Sequence, residues 1–224
     1  ILVKTVCRKE FEERSGSVCP EDEKNLNRVF PGNPQGEPTS RLAASIFAKV
    51  KGYRYGIQFP SFYRKGDFIP HVRMQPTGKE SASLANLFGL PYVITSKQRS
   101  FDVKTLNYNW QINGTDAFSV YSGDTGHINE FSAKQAVSAV LRFLTRMGIL
   151  KYNCHNGYIA SIIEEEDMAE VKTEASGFFR RLVNVGEEVH RGQLLGEILD
   201  PYEGDIISEV HSTVDGIVFY AKKD

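Results

Sequence analysis

Cysteine is scarce in this chain of 224 residues: Cys7, Cys19 and Cys154 are odd in number and lack metal-ligand spacing. That argues against a disulfide framework and suits a reducing cytoplasm with free thiols, with Cys7 and Cys19 the pair that oxidation could join. Long apolar runs are also missing, so nothing in the sequence reads as a membrane span. Charge of one sign is missing too, since 27 Lys and Arg stand against 28 Asp and Glu, for a net charge of −1. These charges and the five His are scattered, so no nucleic-acid footprint is visible. Neither His-x-x-Glu nor His-Glu-x-x-His occurs. Nothing in the sequence supports oligomerisation. With 41% hydrophobic and 25% charged residues, the chain can bury a sizeable core or form two modest domains.

What is present is a grammar that changes near Leu150. Before it, apolar segments alternate with helical spacing. Thr39 or Ser40 is placed to cap a helix whose positions Leu42, Ala43, Ile46, Phe47 and Val50 share one face. Tyr53 to Phe59 reads as a strand, followed by a Gly66-Asp67 turn, an apolar run from Phe68 to Met74, a helical segment from Glu80 to Phe88 and a strand from Leu90 to Ile94. The aromatic alternation from Thr105 to Gln111 predicts an extended segment, and Ala117 to Tyr121 another. Ser132 is placed to cap a long helix with a stripe at Ala136, Val137, Val140, Leu141 and Leu144, ended by Gly148. This order predicts an α/β fold with a largely parallel or mixed sheet covered by helices.

After Leu150, glycines from Gly157 to Gly216 punctuate short β runs, which predicts a small all-β domain at 151–224 beside an α/β domain at 1–150. The Val185, Val189, Gly192, Leu195 and Ile198 repeat resembles the barrel-sandwich hybrid of lipoyl and biotinyl carriers. The turn at Asp200 to Asp205 has no Lys, however, so a swinging-arm carrier is disfavoured. The chain opens with Ile1-Leu2-Val3-Lys4-Thr5-Val6, which reads as the end of a strand, and closes soon after the strand Gly216 to Ala221. Both ends read as cut, as in a fragment.

The most informative stretch is Asn25-Leu26-Asn27-Arg28-Val29-Phe30-Pro31-Gly32. It sets an amide and a guanidinium side by side before a Pro-Gly turn, offering fork-like donors suited to a carboxylate. Ordinary surface turns also use these residues, held by side-chain hydrogen bonds.

The octet resembles the succinylglutamate desuccinylase and aspartoacylase family, zinc-dependent hydrolases with a carboxypeptidase-like α/β fold. The resemblance continues through Pro70-His71-Val72-Arg73, the helix ending at Met147-Gly148, and Val185-Gly186-Glu187-Glu188-Val189. It implies that Asn27 and Arg28 hold the carboxylate of a small acidic acyl-amino-acid-like substrate. It also implies a zinc cofactor, and a β domain that shields or completes the cleft. Arg73 is a third substrate-binding candidate, or a partner for Asp67.

The family's chemical groups are harder to place. Its His-x-x-Glu pair would lie upstream of Ile1. Aligned on Pro70 to Arg73, its Asp-Leu-His reads Gln58-Phe59-Pro60, and Pro60 cannot bind metal. Aligned back from Ile128-Asn129-Glu130, its general-base Glu falls near Tyr121, with Asp124 the alternative after a small gap. His71 and His127 are the candidate replacement ligands, although a lone His is more often a hydrogen-bonded structural group. Glu130 fits better as a first-turn acid facing the helix dipole. His155, His190 and His211 read as surface or turn residues of the β segment, and Glu164 to Asp167 as a solvated acidic turn.

Two readings share this pocket. One is a metal-dependent deacylase that cleaves the amide bond of an N-acyl amino acid with zinc-activated water. The other is a degenerate relative that binds a small carboxylate without turnover, which Pro60 and Tyr121 favour.

Overall fold

Four parallel register pairs, Tyr55 with Asp116 through Gln58 with Ser119, join strand β1 (Tyr55–Gln58) to β5 (Asp116–Tyr121). The computed structural model that gives this pairing describes residues 18–60, 66–123 and 129–222. Between these two strands in sequence lie β2 (Asp67–Phe68), β3 (His71–Arg73) and β4 (Tyr92–Thr95). A five-stranded sheet runs in the order β1-β5-β3-β4-β6, where β6 is Ser161–Glu164. Parallel neighbours so far apart in sequence need a crossover connection, and the helices α2 (Ala82–Asn86) and α3 (Leu106–Ile112) lie between β1 and β5, while α1 (Pro38–Val50) precedes β1. The expected mixed α/β architecture with a parallel-containing sheet is what the chain forms.

The chain divides into two compact units. The first comprises Ile1–Gln58, Arg73–Ala85 and Thr95–Ser119, and the second Phe59–Val72, Asn86–Ile94 and Val120–Asp224.

In the first unit, α1 buries Ala43, Phe47 and Val50, spaced four and three apart on one helical face. These pack with Phe30, Trp110 and Ala117 into one core, flanked by Leu26, Val29, Ile46 and Leu106. Trp110 Nε1 donates to Val50 O at 3.2 Å, which satisfies the buried indole. The cap of α1 is Glu37, not Thr39 or Ser40, because Pro38 takes the first helical position and needs no amide partner. Thr39 instead donates its backbone amide (2.9 Å) and its hydroxyl to the Asp22 carboxylate.

The largest departure from the sequence reading is α3. Thr105 to Gln111 was expected to be extended, yet Leu106–Ile112 is an α-helix. Thr105 caps it, its Oγ1 accepting from Tyr108 N at 3.2 Å. The helix buries Asn107, Asn109, Trp110 and Gln111 and leaves Ile112 exposed, so the alternating apolar residues mislead about which side faces inward. Polar side chains are buried there because they are bonded: Asn109 Nδ2 donates to Val103 O and Thr105 O at 3.0 and 2.8 Å.

In the second unit the long helix α4 (Glu130–Arg146) is capped by Asn129, whose Oδ1 accepts from Ser132 N at 3.1 Å, so Ser132 is the recipient of the cap and not its source. Gly148, at φ +69°, ends it as expected. Its buried positions are Ala136, Ala139, Arg142 and Phe143, whereas Val137 is 59% exposed. The stripe runs through Phe143, stacked on Phe88 with centroids 4.5 Å apart, and Arg142 Nε donates to Phe88 O at 2.7 Å.

The remaining strands of this unit are short. β7 (Phe178–Arg181), β9 (Leu194–Leu199) and β10 (Ile206–His211) form an antiparallel sheet in the order β10-β9-β7. β8 (Glu188–Val189) pairs with β11 (Gly216–Ile217), and β12 (Tyr220–Ala221) returns to pair with β2. Among the described residues, no helix is long and apolar enough to cross a membrane. Cys19 and Cys154 carry free thiols.

Candidate functional site

The Asn-Leu-Asn-Arg stretch folds into a 3-10 turn, Leu26–Arg28, because Asn25 caps it: Asn25 Oδ1 accepts from Asn27 N at 2.8 Å. Asn27 Oδ1 in turn accepts from Leu106 N at 3.0 Å and thereby satisfies an otherwise partnerless amide in the first turn of α3. Phe30 N donates to Lys104 O at 2.9 Å, a second tie to the segment before α3. Gly32 sits at φ +84°, and a Cβ there would run into the backbone of Ala44, so the Pro-Gly turn lies directly on α1.

These ties leave two donor groups without a protein acceptor among the described residues. The Asn27 amide is fixed through its oxygen, and its Nδ2 has no protein acceptor among the described residues. Arg28 is exposed, its guanidinium carbon 4.0 Å from the centroid of the Phe101 ring. No carboxylate among the described residues pairs with Arg28. A planar guanidinium backed by a ring on one side and without an anionic partner among the described residues is suited to bind a ligand carboxylate.

The sequence gives no hint of Phe101 or of Arg99, whose guanidinium carbon lies 4.6 Å from the same ring. Arg99 is held by the buried Asp102, whose Oδ2 accepts from Arg99 N at 2.8 Å and Arg99 Nε at 3.3 Å. No local spacing links this loop to Arg28; only the fold brings them together.

A buried polar chain lies in the same unit, where the family's Asp-Leu-His aligns. Gln58 Nε2 donates to Ser119 Oγ at 2.8 Å. With its amide oxygen toward Ser119 Oγ and N (2.8 and 3.1 Å), Asn107 donates to Ala117 O and Gln111 Oε1, both at 3.2 Å. Gln58 therefore does structural work through its bond to Ser119. Arg73, the third substrate-binding candidate, ends β3 in the interior, only 6% exposed.

In the second unit, His71 is 1% exposed, and its Nδ1 lies 2.8 Å from Ile69 O. Its ring stacks on Tyr121, with Phe68 edge-on and Phe219 tilted against it. Asp67, weighed as a partner for Arg73, accepts from Arg181 Nη1 at 2.8 Å. Asp124 and His127 lie outside the described residues. Among the described residues, no three His, Cys, Asp or Glu side chains come together in a group able to hold a metal ion. With Pro60 at one family ligand position and His71 enclosed by aromatic rings, the described side chains do not fit a zinc site.

No protein-family model and no curated protein matches the sequence. Solved structures do match. The product-bound ectoine utilization protein EutE (DoeB) from Ruegeria pomeroyi superimposes with a TM-score of 0.77 at 22% identity, over 96% of this chain and 67% of that one. A succinylglutamate desuccinylase from Silicibacter sp. TM1040 gives 0.76 at 20% identity, over 94% and 68%. A succinylglutamate desuccinylase/aspartoacylase from Rhodobacter sphaeroides gives 0.74 at 21% identity over 94% of this chain, which spans 66% of the length of that protein. The chain thus has the α/β fold of these structures, and several of them are succinylglutamate desuccinylase/aspartoacylase proteins, the resemblance expected from the sequence.

Proposed function

We propose that the protein hydrolyses the amide bond of an N-acyl amino acid or a similar small acidic substrate, with Asn27 and Arg28 holding the substrate carboxylate. The observation that carries this reading is the exposed Arg28 guanidinium, backed by Phe101 and without a carboxylate partner among the described residues, next to an amide anchored through its oxygen. The names of the structural neighbours, desuccinylase and aspartoacylase, supply the reaction class. Zinc-activated water is the chemistry that the resemblance implies, and it requires ligands beyond the described side chains. What these residues contribute is recognition: Arg28 as the charged fork and Asn27 Nδ2 as a neutral donor beside it.

A second reading has its own observation. Tyr121, which with Asp124 is a candidate for the family's general-base position, is packed flat on His71, which favours a protein that holds the carboxylate through Asn27 and Arg28 without turnover. The test is release of free amine from N-succinyl and N-acetyl amino acids by the full-length protein. Saturable release that disappears when the substrate carboxylates are amidated supports the hydrolase. Binding without release replaces it with the second reading, and neither binding nor release removes both.

A further inference from the structure

We infer that Phe101 is the positioning residue of the carboxylate grip: its ring fixes the plane of the Arg28 guanidinium, while Arg99, tied down by Asp102, occupies the same ring and keeps it in place. The inference rests on Arg28 being a ligand-binding residue. An exposed arginine samples many rotamers, and ordering it on binding costs conformational entropy. A ring at 4.0 Å lowers that cost beforehand, because the guanidinium lies against the negative face of the aromatic quadrupole while its N–H donors stay in its own plane.

The neighbours of the ring favour this role over simple packing. Phe101 is 38% exposed and is no member of the core formed by Phe30, Ala43, Phe47, Val50, Trp110 and Ala117, so burial does not account for a phenyl group there. Its loop is held independently, by the Asp102 bonds to Arg99 and by Thr105 N donating to Asp102 O at 3.0 Å. Asp102 sets a negative charge against Arg99, whereas no described carboxylate pairs with Arg28. Of the two cations on the ring, Arg28 is therefore the one left to an external anion.

The test is calorimetric titration of the full-length protein with N-acetyl-L-glutamate. Phe101→Leu should weaken binding about fivefold, Phe101→Trp should restore it, and Arg28→Ala should weaken it further. Adding Phe101→Leu to Arg28→Ala should then change little, because the ring acts through the guanidinium. An unchanged melting temperature in Phe101→Leu separates positioning from folding. Wild-type affinity in Phe101→Leu beside weakened binding in Arg28→Ala overturns the role of Phe101 alone. Equal losses in the Leu and Trp variants also overturn it. Unchanged affinity in Arg28→Ala, or no binding by the wild type, overturns the reading of Arg28 itself.

Discussion

His71 lies flat against Tyr121, with ring centroids 4.8 Å apart and planes 14° from parallel. Phe68 stands edge-on to both rings, which makes the pair part of an aromatic cluster. Tyr121, one of the two positions that the sequence aligned with the family's general base, is thus a packed ring. Tyr121→Ala should lower stability by about 2 kcal/mol through lost burial and stacking. Urea denaturation measures this, and a loss within error would mean that the stack contributes nothing.

Trp110 and Gly56 make a second specific pair. A Cβ at residue 56 would stand 2.7 Å from the indole ring, so β1 can approach α3 closely only with glycine there. Gly56→Ala should destabilise by about 1–3 kcal/mol, because the indole is pinned by its bond to Val50 O and cannot shift freely. A thermal melt matching the wild type would show that the strand and helix adjust without strain.

Asn27 has a structural bond and, in the proposed function, a binding role. Asn27→Ala removes the acceptor for Leu106 N and should cost about 1 kcal/mol of stability as well as weaken carboxylate binding. Asn27→Asp keeps the acceptor but replaces the Nδ2 donor by a charge repelling the ligand. It should retain stability while losing affinity, and parallel changes in both properties would contradict this division of roles.

Asp22 gives a pH dependence of known sign. The Thr39 hydroxyl bond, with help from the Thr39 and Lys24 amides, holds its pKa below the ordinary carboxylate value. A depressed folded pKa means that its contribution is present above the unfolded pKa near 4 and is lost as pH falls through the folded value. Asp22→Asn should therefore be less stable than the wild type at neutral pH, with the gap narrowing below about pH 4. Denaturation at pH 7 and pH 3 reads this, and a gap that widens in acid would refute the assignment.

The sequence was legible where local pattern and environment agree. The α1 face at Ala43, Phe47 and Val50 follows helical spacing, and β5 follows its apolar run. It was misleading at α3, where Leu106, Tyr108, Trp110 and Ile112 alternate like a strand while bonded asparagines occupy the interior. Ser161–Glu164 reads locally like the other short β runs after Leu150, yet it joins the five-stranded sheet, because strand partnership is a long-range property. At the site, Asn27 and Arg28 stood out by their neighbouring amide and guanidinium. Phe101 and Arg99 did not, because their meeting with Arg28 depends on the ties from Asn27 to Leu106 and from Phe30 to Lys104.

The central claim is that Arg28 and Asn27 hold a substrate carboxylate. It is tested most directly by titrating the full-length protein with N-acetyl-L-glutamate and, separately, with the same compound bearing amides in place of both carboxylates. The charged compound should bind more tightly by about 1.5–3 kcal/mol, and Arg28→Ala should abolish that preference. Equal binding of the two compounds by the wild type would contradict the account.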